Sequence, residues 1–435
     1  MKKRKKLLII TSSGGGGLIQ TANAKEQAAL AKDPHVAIVR KDLLKDWTPF
    51  ASFCTNFWNQ AQQKGRLSAQ MICVYGQPVA DFFFFPWRFF HALKTFFGEQ
   101  VDGIIDTQPL GTSAIVKALR IYNRFKQKQV RIEKVVVDLP TKKATHFFRP
   151  IKKLSKKNRR LLSLTSIPPL LEEGETAEEF WQKTCGLAEN EINFEEPYIR
   201  HAFLQYKKKN RPAKTMQFFI RVKNSEELQL MQNALERGPI DAQAREGAVD
   251  FHIEPEDRVF TILLGSQPAK VATLNYVTQF AQIAKENPHL RIHLFAFCAD
   301  HQEGEESLYR QVSAFATALK EYPPNLTIIP FSFQKEDVIA PLFFRSDLTC
   351  TRSGGQTAME LMSVSTGEIW IHSEAKPGQD LLKGIPGWEA ASALYLKKLY
   401  GAKIVTPELS LGHARDLIRT DNRQALSNRA LESTA

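Results

Sequence analysis

The chain is 435 residues long and carries 59 Lys and Arg against 46 Asp and Glu, a formal charge of +13. Hydrophobic residues at 43% and charged residues at 24% are ordinary globular proportions, which excludes wholesale disorder, collagen and fibrous classes. Five cysteines with no C-x-x-C pair exclude a disulfide-stapled scaffold and a thiolate zinc site, and predict a reducing compartment.

The length predicts two or three domains. At the N-terminus five basic residues (2–6) precede an apolar run, 7–10, too short for a signal peptide. No stretch approaches the roughly 20 apolar residues that span a bilayer. The expectation is a soluble, cytoplasmic protein or one lying peripherally on a membrane. Short apolar runs then alternate with helix-length segments. Strands are predicted at 7–11, 36–39, 71–75, 103–106, 135–139 and 161–165, and again at 259–265, 292–297, 326–331, 348–351, 369–372 and 403–405. Helical stretches fall at 24–31, 271–284, 308–321 and 357–362. Such alternation implies an α/β protein with parallel sheets. Twelve strands divide naturally into two doubly wound domains: 1–210, on the acceptor side, and 211–406, with a helix and tail over 407–435. The basic stretch 207–214 is the linker, and 218–222 is a further strand candidate.

Two compositional features stand out. Residues 82–97 hold eight Phe and one Trp in sixteen positions, interrupted by Pro86, Arg88, His91 and Lys94. After Pro86, the residues Phe89, Phe90, Leu93, Phe96 and Phe97 fall on one helical face with the basic residues at its edge. This pattern suits the headgroup region of a bilayer, against the plain alternative of a core helix. The positive charge is also local: residues 2–6, 142–160 and 207–214 hold five, nine and five basic residues and no acid, leaving 40 basic against 46 acidic residues elsewhere. Such runs suit phosphate groups on lipid or nucleic acid, or are solvated loop charge.

Chemistry is expected in loops that follow strands, because open α/β sheets collect ligands at the carboxyl ends of their strands. The first loop, Ser12-Ser13-Gly14-Gly15-Gly16-Gly17, opens a helix, so backbone N–H groups and the helix dipole favour an anion. It matches neither the P-loop nor G-x-G-x-x-G. The second, Arg352-Ser353-Gly354-Gly355-Gln356, repeats the strand–turn–helix pattern and offers backbone N–H groups and a hydroxyl to a diphosphate. Close behind, Pro386-Gly387-Trp388-Glu389 supplies a carboxylate able to accept from a ribose diol.

In order and spacing these segments resemble glycosyltransferases of the GT-B type, in particular the bacterial lipid-intermediate N-acetylglucosaminyltransferases and the monogalactosyldiacylglycerol synthases. The likeness touches Gly14, Gly15, Gly16 and Gly17, residues 104–110 and 135–148, Gly265 and Ser266 within 264–267, 351–360 and 386–392. Val137-Asp138-Leu139-Pro140-Thr141 looks like the acceptor-domain segment of the diacylglycerol enzymes, and Pro386-Gly387-Trp388-Glu389 like the donor-site Pro-Gly-x-Glu. The resemblance implies two Rossmann-like domains facing a cleft. It also implies transfer of a sugar from a nucleotide diphosphate sugar, UDP-linked foremost, with the donor held mainly by the C-terminal domain. The acceptor would be a lipid or membrane-associated molecule on an anionic membrane surface. Three positions depart: Leu18, Gln108 and Lys143 stand where the family places histidines, and His146 does not match.

An inverting transfer needs a base for the acceptor hydroxyl and stabilisation of the leaving diphosphate. No Asp-x-Asp occurs, so a metal clamp and other cofactors are not expected; Arg352, Ser353, Gly354 and Gly355 would take that role. Asp138 and Asp106 end strands and are the base candidates, Asp138 preferred, although either suits a turn cap. The competing reading is a GT-B-fold protein that binds anionic lipid or nucleotide without transfer. A nucleic-acid partner is disfavoured because no recognised module appears.

Overall fold

The computed structural model describes residues 4–13, 16–64, 66–142, 144–145, 147–299 and 307–432. Gly14, Gly15, Lys143, His146 and the first two lysines of the N-terminal run therefore lie outside the described residues.

Two six-stranded parallel sheets form the frame. The first contains β1 (Lys6–Thr11), β2 (Ala37–Asp42), β3 (Gly103–Asp106), β4 (Ile132–Val135), β5 (Leu162–Ser166) and β6 (Ile192–Phe194), in the order β2-β1-β3-β4-β5-β6. A small antiparallel sheet follows, β7 (Met216–Arg221), β8 (Asp241–Arg245) and β9 (Ala248–Ile253), ordered β7-β9-β8. The second large sheet holds β10 (Arg258–Leu263), β11 (Ile292–Phe297), β12 (Leu326–Phe331), β13 (Leu348–Thr351), β14 (Glu368–His372) and β15 (Lys403–Val405). Its order is β12-β11-β10-β13-β14-β15. Each large sheet reverses its winding once, at β1/β3 in the first and β10/β13 in the second, which is where doubly wound sheets bind ligands.

The local reasons are plain in the sequence. Strands such as Ile292–Phe297 and Leu326–Phe331 are buried along their whole length and read as largely apolar runs, as parallel strands covered on both faces do. Helices start at side-chain caps, with Thr176 and Glu179 forming a capping box and Asn224 and Ser307 each accepting from a first-turn N–H. Each large sheet has its own buried apolar cluster, one centred on Leu8, Ile104, Leu119 and Leu164, the other on Phe260, Tyr276, Phe280 and Leu294.

Contacts divide the chain into two compact units: residues 1–208 with 353–364 and 382–402, and residues 209–352 with 365–381 and 403–435. The helices Gly355–Val364 and Gly387–Tyr400 connect strands of the second sheet, yet they group with the first unit.

The strand predictions hold at most positions, with two corrections. Residues 71–75 belong to a helix, Leu67–Tyr75, because a five-residue apolar run carries no period of its own and its neighbours decide. The strand expected at 135–139 lies at Ile132–Val135, and the chain beyond leaves the sheet. The face of the aromatic helix is also different. In Phe85–Glu99 the inward residues are Arg88, Ala92 and Phe96, with Phe89, Leu93 and Phe97 packed against the core. Arg88 is buried because it is paired with Asp81 and donates to Thr48 Oγ1 at 3.2 Å.

Candidate functional site

At the carboxyl edge of the first sheet, β1 runs into Ser12 and Ser13, and Gly16 and Gly17 open the helix Gly16–Lys32. Ser13 N–H donates to Asp42 Oδ2 at 2.7 Å, which ties the loop to the end of β2. Asp106, at the end of β3, is fully buried. Its carboxylate accepts from Lys134 Nζ at 2.7 Å and from Gln108 N–H at 2.8 Å, and the same ammonium donates to the Gln108 carbonyl. Burial raises the Asp106 pKa while Lys134 opposes the rise. The ion pair thus ties Asp106 to Lys134 inside the fold. The Gln108 side chain is 1% exposed, and neither its oxygen nor its nitrogen has a partner among the described residues.

Asp138 follows β4 and is partly buried. Its carboxylate accepts from the Gly355 N–H at the start of the helix Gly355–Val364, and Glu389 lies close enough to repel it. Burial first, and the Glu389 charge second, push its pKa up to about 7, with the Gly355 hydrogen bond opposing them. The first unit therefore gathers Asp138, Gly355 and Glu389 at one helix N-terminus. Ser353 is buried and its hydroxyl donates to the Glu389 carbonyl at 2.6 Å, so that hydroxyl is not offered to a ligand. Gln356 is likewise engaged: its oxygen accepts from Thr21 Oγ1 at 2.8 Å, and its nitrogen donates to the Tyr198 carbonyl at 3.2 Å and to Glu360 at 3.0 Å. Arg200 completes this layer with a two-pronged pair to Glu360 at 2.7 and 2.8 Å. What the Ser353–Gly355 turn does present is backbone: Gly354 has open space where a side chain would project.

In the second unit, Gly265 and Ser266 follow β10 and Arg352 follows β13, the two strands flanking the reversal of winding. Gly265 has φ +83°, a left-handed conformation that disfavours other residues, and a Cβ there would sit 3.4 Å from Arg352 Cδ. Beyond β14, His372 lies 3.1 Å from Glu374 through Nε2 and 3.1 Å from the Tyr276 hydroxyl through Nδ1. Burial raises the Glu374 pKa, but His372 and then Arg352 outweigh it and the net shift is downward. Sequence reasoning missed this His–Glu pair. Its signal was a histidine and an acid two residues apart at a strand's carboxyl end.

The exposed apolar surface is concentrated. Among the described residues, ten of nineteen exposed large hydrophobic side chains fall between Phe50 and Phe90, far from the single scattering normal on a surface. They sit on or beside the helices Ala51–Gln63, Leu67–Tyr75, Gln77–Phe83 and Phe85–Glu99, with Phe82 78% and Phe90 65% exposed. Lys152, Lys153, Lys156 and Lys157 of the long basic run are exposed as well. No described helix is long and apolar enough to cross a membrane.

No family model matches the sequence, and no curated protein matches it. Solved structures are similar over nearly the whole chain. MurG of Acinetobacter baumannii is 14% identical, with 96% of this chain and 91% of that chain covered and a TM-score of 0.43. The glycosyltransferase SnogD from Streptomyces nogalater is 12% identical, covering 95% and 99%, with a TM-score of 0.44. The UDP-GlcNAc 2-epimerase of Neisseria meningitidis, bound to UDP-GlcNAc, is 10% identical, covering 96% and 100%, with a TM-score of 0.41. The chain itself carries two doubly wound six-stranded parallel sheets, an α/β architecture.

Proposed function

We propose that this protein transfers a sugar from a nucleotide diphosphate sugar, UDP-linked foremost, to a lipid or membrane-associated acceptor, without a metal clamp and with inversion. The observation that carries the reading is the Asp138 carboxylate bonded to the Gly355 N–H of a glycine turn, with the Glu389 charge near it. A carboxyl with a pKa of about 7 suits a general base at neutral pH, and a helix N-terminus suits a diphosphate. Glu389 is the candidate acceptor for the ribose diol. Gly354, Gly355 and Arg352, with Gly265 and Ser266, are the candidate phosphate contacts, and Gly16 and Gly17 border the acceptor side.

The test is transfer from UDP-sugars to vesicle-borne lipid. Asp138→Asn is expected to lose roughly 10²–10⁴ in rate, the ordinary worth of a positioned base. The parent rate should climb as pH rises through about 7, because only the ionised carboxylate accepts the proton. Stability moves the other way. A carboxyl raised by folding contributes stability that is fully present below its unfolded value of 3.8 and is lost as pH rises through about 7. Donor binding without any transfer would replace this reading with that of a nucleotide-binding protein.

The acceptor side rests on the exposed aromatic helices. Binding to anionic vesicles is expected to weaken with salt but persist, since basic residues near an anionic surface give about 1 kcal/mol each and are screened, whereas apolar insertion is not. Replacing Phe82, Phe83, Trp87 and Phe90 with Ser should remove the salt-resistant part, measured by flotation. Changing Lys152, Lys153, Lys156 and Lys157 to Glu should remove the salt-sensitive part. A parent that stays in solution with anionic vesicles at low salt rules the membrane acceptor out.

A further inference from the structure

The small antiparallel sheet β7-β9-β8 has two edges, and the chain treats them differently. At the β7 edge the Gln334 side chain accepts from Arg221 N–H at 3.0 Å and donates to the Arg221 carbonyl at 2.8 Å, so the outward main-chain groups of that residue are capped. β8 has β9 on one side and, among the described residues, no strand on the other. Asp241, Gln243, Ala244 and Arg245 are exposed there and Ala242 is partly buried. Exposed edge strands are templates for another strand, and proteins commonly blunt them with Lys, Pro or a bulge. β8, Asp-Ala-Gln-Ala-Arg, carries none of these and runs in unbroken register with β9 from Asp241 opposite His252 to Arg245 opposite Ala248.

The direction of each main-chain group follows from that register. Val222 N–H donates to the Gly247 carbonyl at 3.0 Å, so residue 247 faces β7. Antiparallel strands alternate, so residue 249 faces β7 as well and residue 248 faces β8. Arg245 and Ala248 are therefore a hydrogen-bonded pair, and Gln243 and Asp241 face β9 too. The N–H and C=O groups of Ala242 and Ala244 are the ones directed outward, and their small side chains let a second backbone come close.

We propose that β8 pairs with β8 of a second copy of this chain, antiparallel about a two-fold axis at Gln243, joining the two three-stranded sheets into one. In that register Ala242 exchanges both hydrogen bonds with the partner's Ala244, and Ala244 does so with the partner's Ala242. The strand is self-complementary in charge as well. Asp241 comes opposite the partner's Arg245, and Arg245 opposite the partner's Asp241, at non-hydrogen-bonded positions where Cα atoms stand about 4.5 Å apart. Within its own chain Arg245 Nε reaches Asp250 Oδ2 at 2.7 Å, and Asp241 lies 3.5 Å from His252 Nδ1. The Arg245 and Asp241 side chains nevertheless stay 53% and 79% exposed, which leaves both able to meet a partner. Slipping the register by two residues in either direction sets Asp241 or Arg245 opposite Gln243 and loses both ion pairs. Charge and main-chain direction thus select the same alignment.

Sedimentation equilibrium on the full chain, over a wide range of concentration, tests this. The parent is expected to form a dimer, and a weak one, because a single strand pair is a small interface. Ala244→Pro removes an outward N–H and spares the bonds to β9, as edge strands allow, so it should abolish the dimer while the circular dichroism of the fold is kept. Asp241→Arg sets Arg against Arg across the axis, and Arg245→Asp sets Asp against Asp. Each variant alone should therefore associate at least about tenfold more weakly than the parent. Mixed in equal amounts, the two restore both ion pairs, and the mixture should associate within about threefold of the parent. An unfolded variant could not give that recovery, so the charge pair decides the matter even where Ala244→Pro fails to fold. A parent that is monomeric at every concentration overturns the pairing and leaves the edge to a strand of another protein. A dimer that survives Ala244→Pro lies elsewhere, as on the exposed aromatic helices, and overturns it too. A mixture that associates no better than its components overturns the alignment.

Discussion

A side chain at residue 355 is expected to abolish nucleotide binding and to destabilise the first unit, whereas the same change one residue earlier is expected to leave stability unchanged. The contrast follows from geometry. At Gly355 a Cβ overlaps the Val137 carbonyl oxygen and approaches Asp138 Cα to 2.6 Å, while at Gly354 nothing lies within 4 Å. The groups in the way at 355 are main chain, which cannot rotate aside, so β4's outgoing loop has to shift. Overpacking of this kind typically costs about 1–3 kcal/mol and more where backbone must move. Gly355→Ala should therefore show a lowered first thermal transition and no UDP heat in calorimetry. Gly354→Ala should stay within about 0.5 kcal/mol of the parent, as substitutions into open space do. Equal behaviour of the two variants would remove the close approach from the account.

Glu360→Ala is expected to be the most damaging single change away from the glycine turn. Arg200 is buried and makes a two-pronged pair with Glu360, so truncation takes the paired carboxylate away from a guanidinium largely shielded from solvent. Breaking one side of such a pair costs roughly 3–5 kcal/mol, much of it the penalty for the orphaned charge. Removing both charges is different. Arg200→Met with Glu360→Leu should recover most of the loss, since apolar replacement of a buried pair is often neutral. Urea denaturation of the four members of this cycle gives the coupling directly. A double variant as unstable as the sum of the singles would show that Gln356 and Thr21, bonded to the same layer, depend on the charges as well.

Much of the frame was legible in the sequence because central parallel strands announce themselves as apolar runs bounded by glycine, proline or polar turns. Residues 292–297, 326–331 and 348–351 are read to the residue. The run at 71–75 was not legible, since five apolar residues fit a strand or a buried turn of helix equally well. β8 was hidden by its composition, Asp-Ala-Gln-Ala-Arg, which exposes nearly every side chain and gives no alternation. Asp138 could be singled out because it sits just beyond the apolar run of a strand, after β4 has ended. Its coupling to Glu389 could not, because pairs separated by 251 positions leave no local trace. The burial of Arg88 shows the same limit from the other direction. Its place on the helix Phe85–Glu99 is periodic, but the partner that neutralises it, Asp81, belongs to the preceding helix. Gly355 and Gly354 look alike in the sequence, and only the neighbouring chain tells them apart.

The grouping of 353–364 and 382–402 with the first unit bears on how the polypeptide is made. Thr21 bonds to Gln356 across 335 positions, and Arg200 to Glu360 across 160. On a ribosome the first 208 residues emerge on the order of ten seconds before the helix that completes their packing, at ordinary elongation rates. Through that interval Thr21 and Arg200 belong to a nascent segment whose partners in the late helix are still unmade, beside the aromatic helices already exposed. The N-terminal half is therefore not a vectorially folding module. Its packing is finished only when the last third of the message has been read.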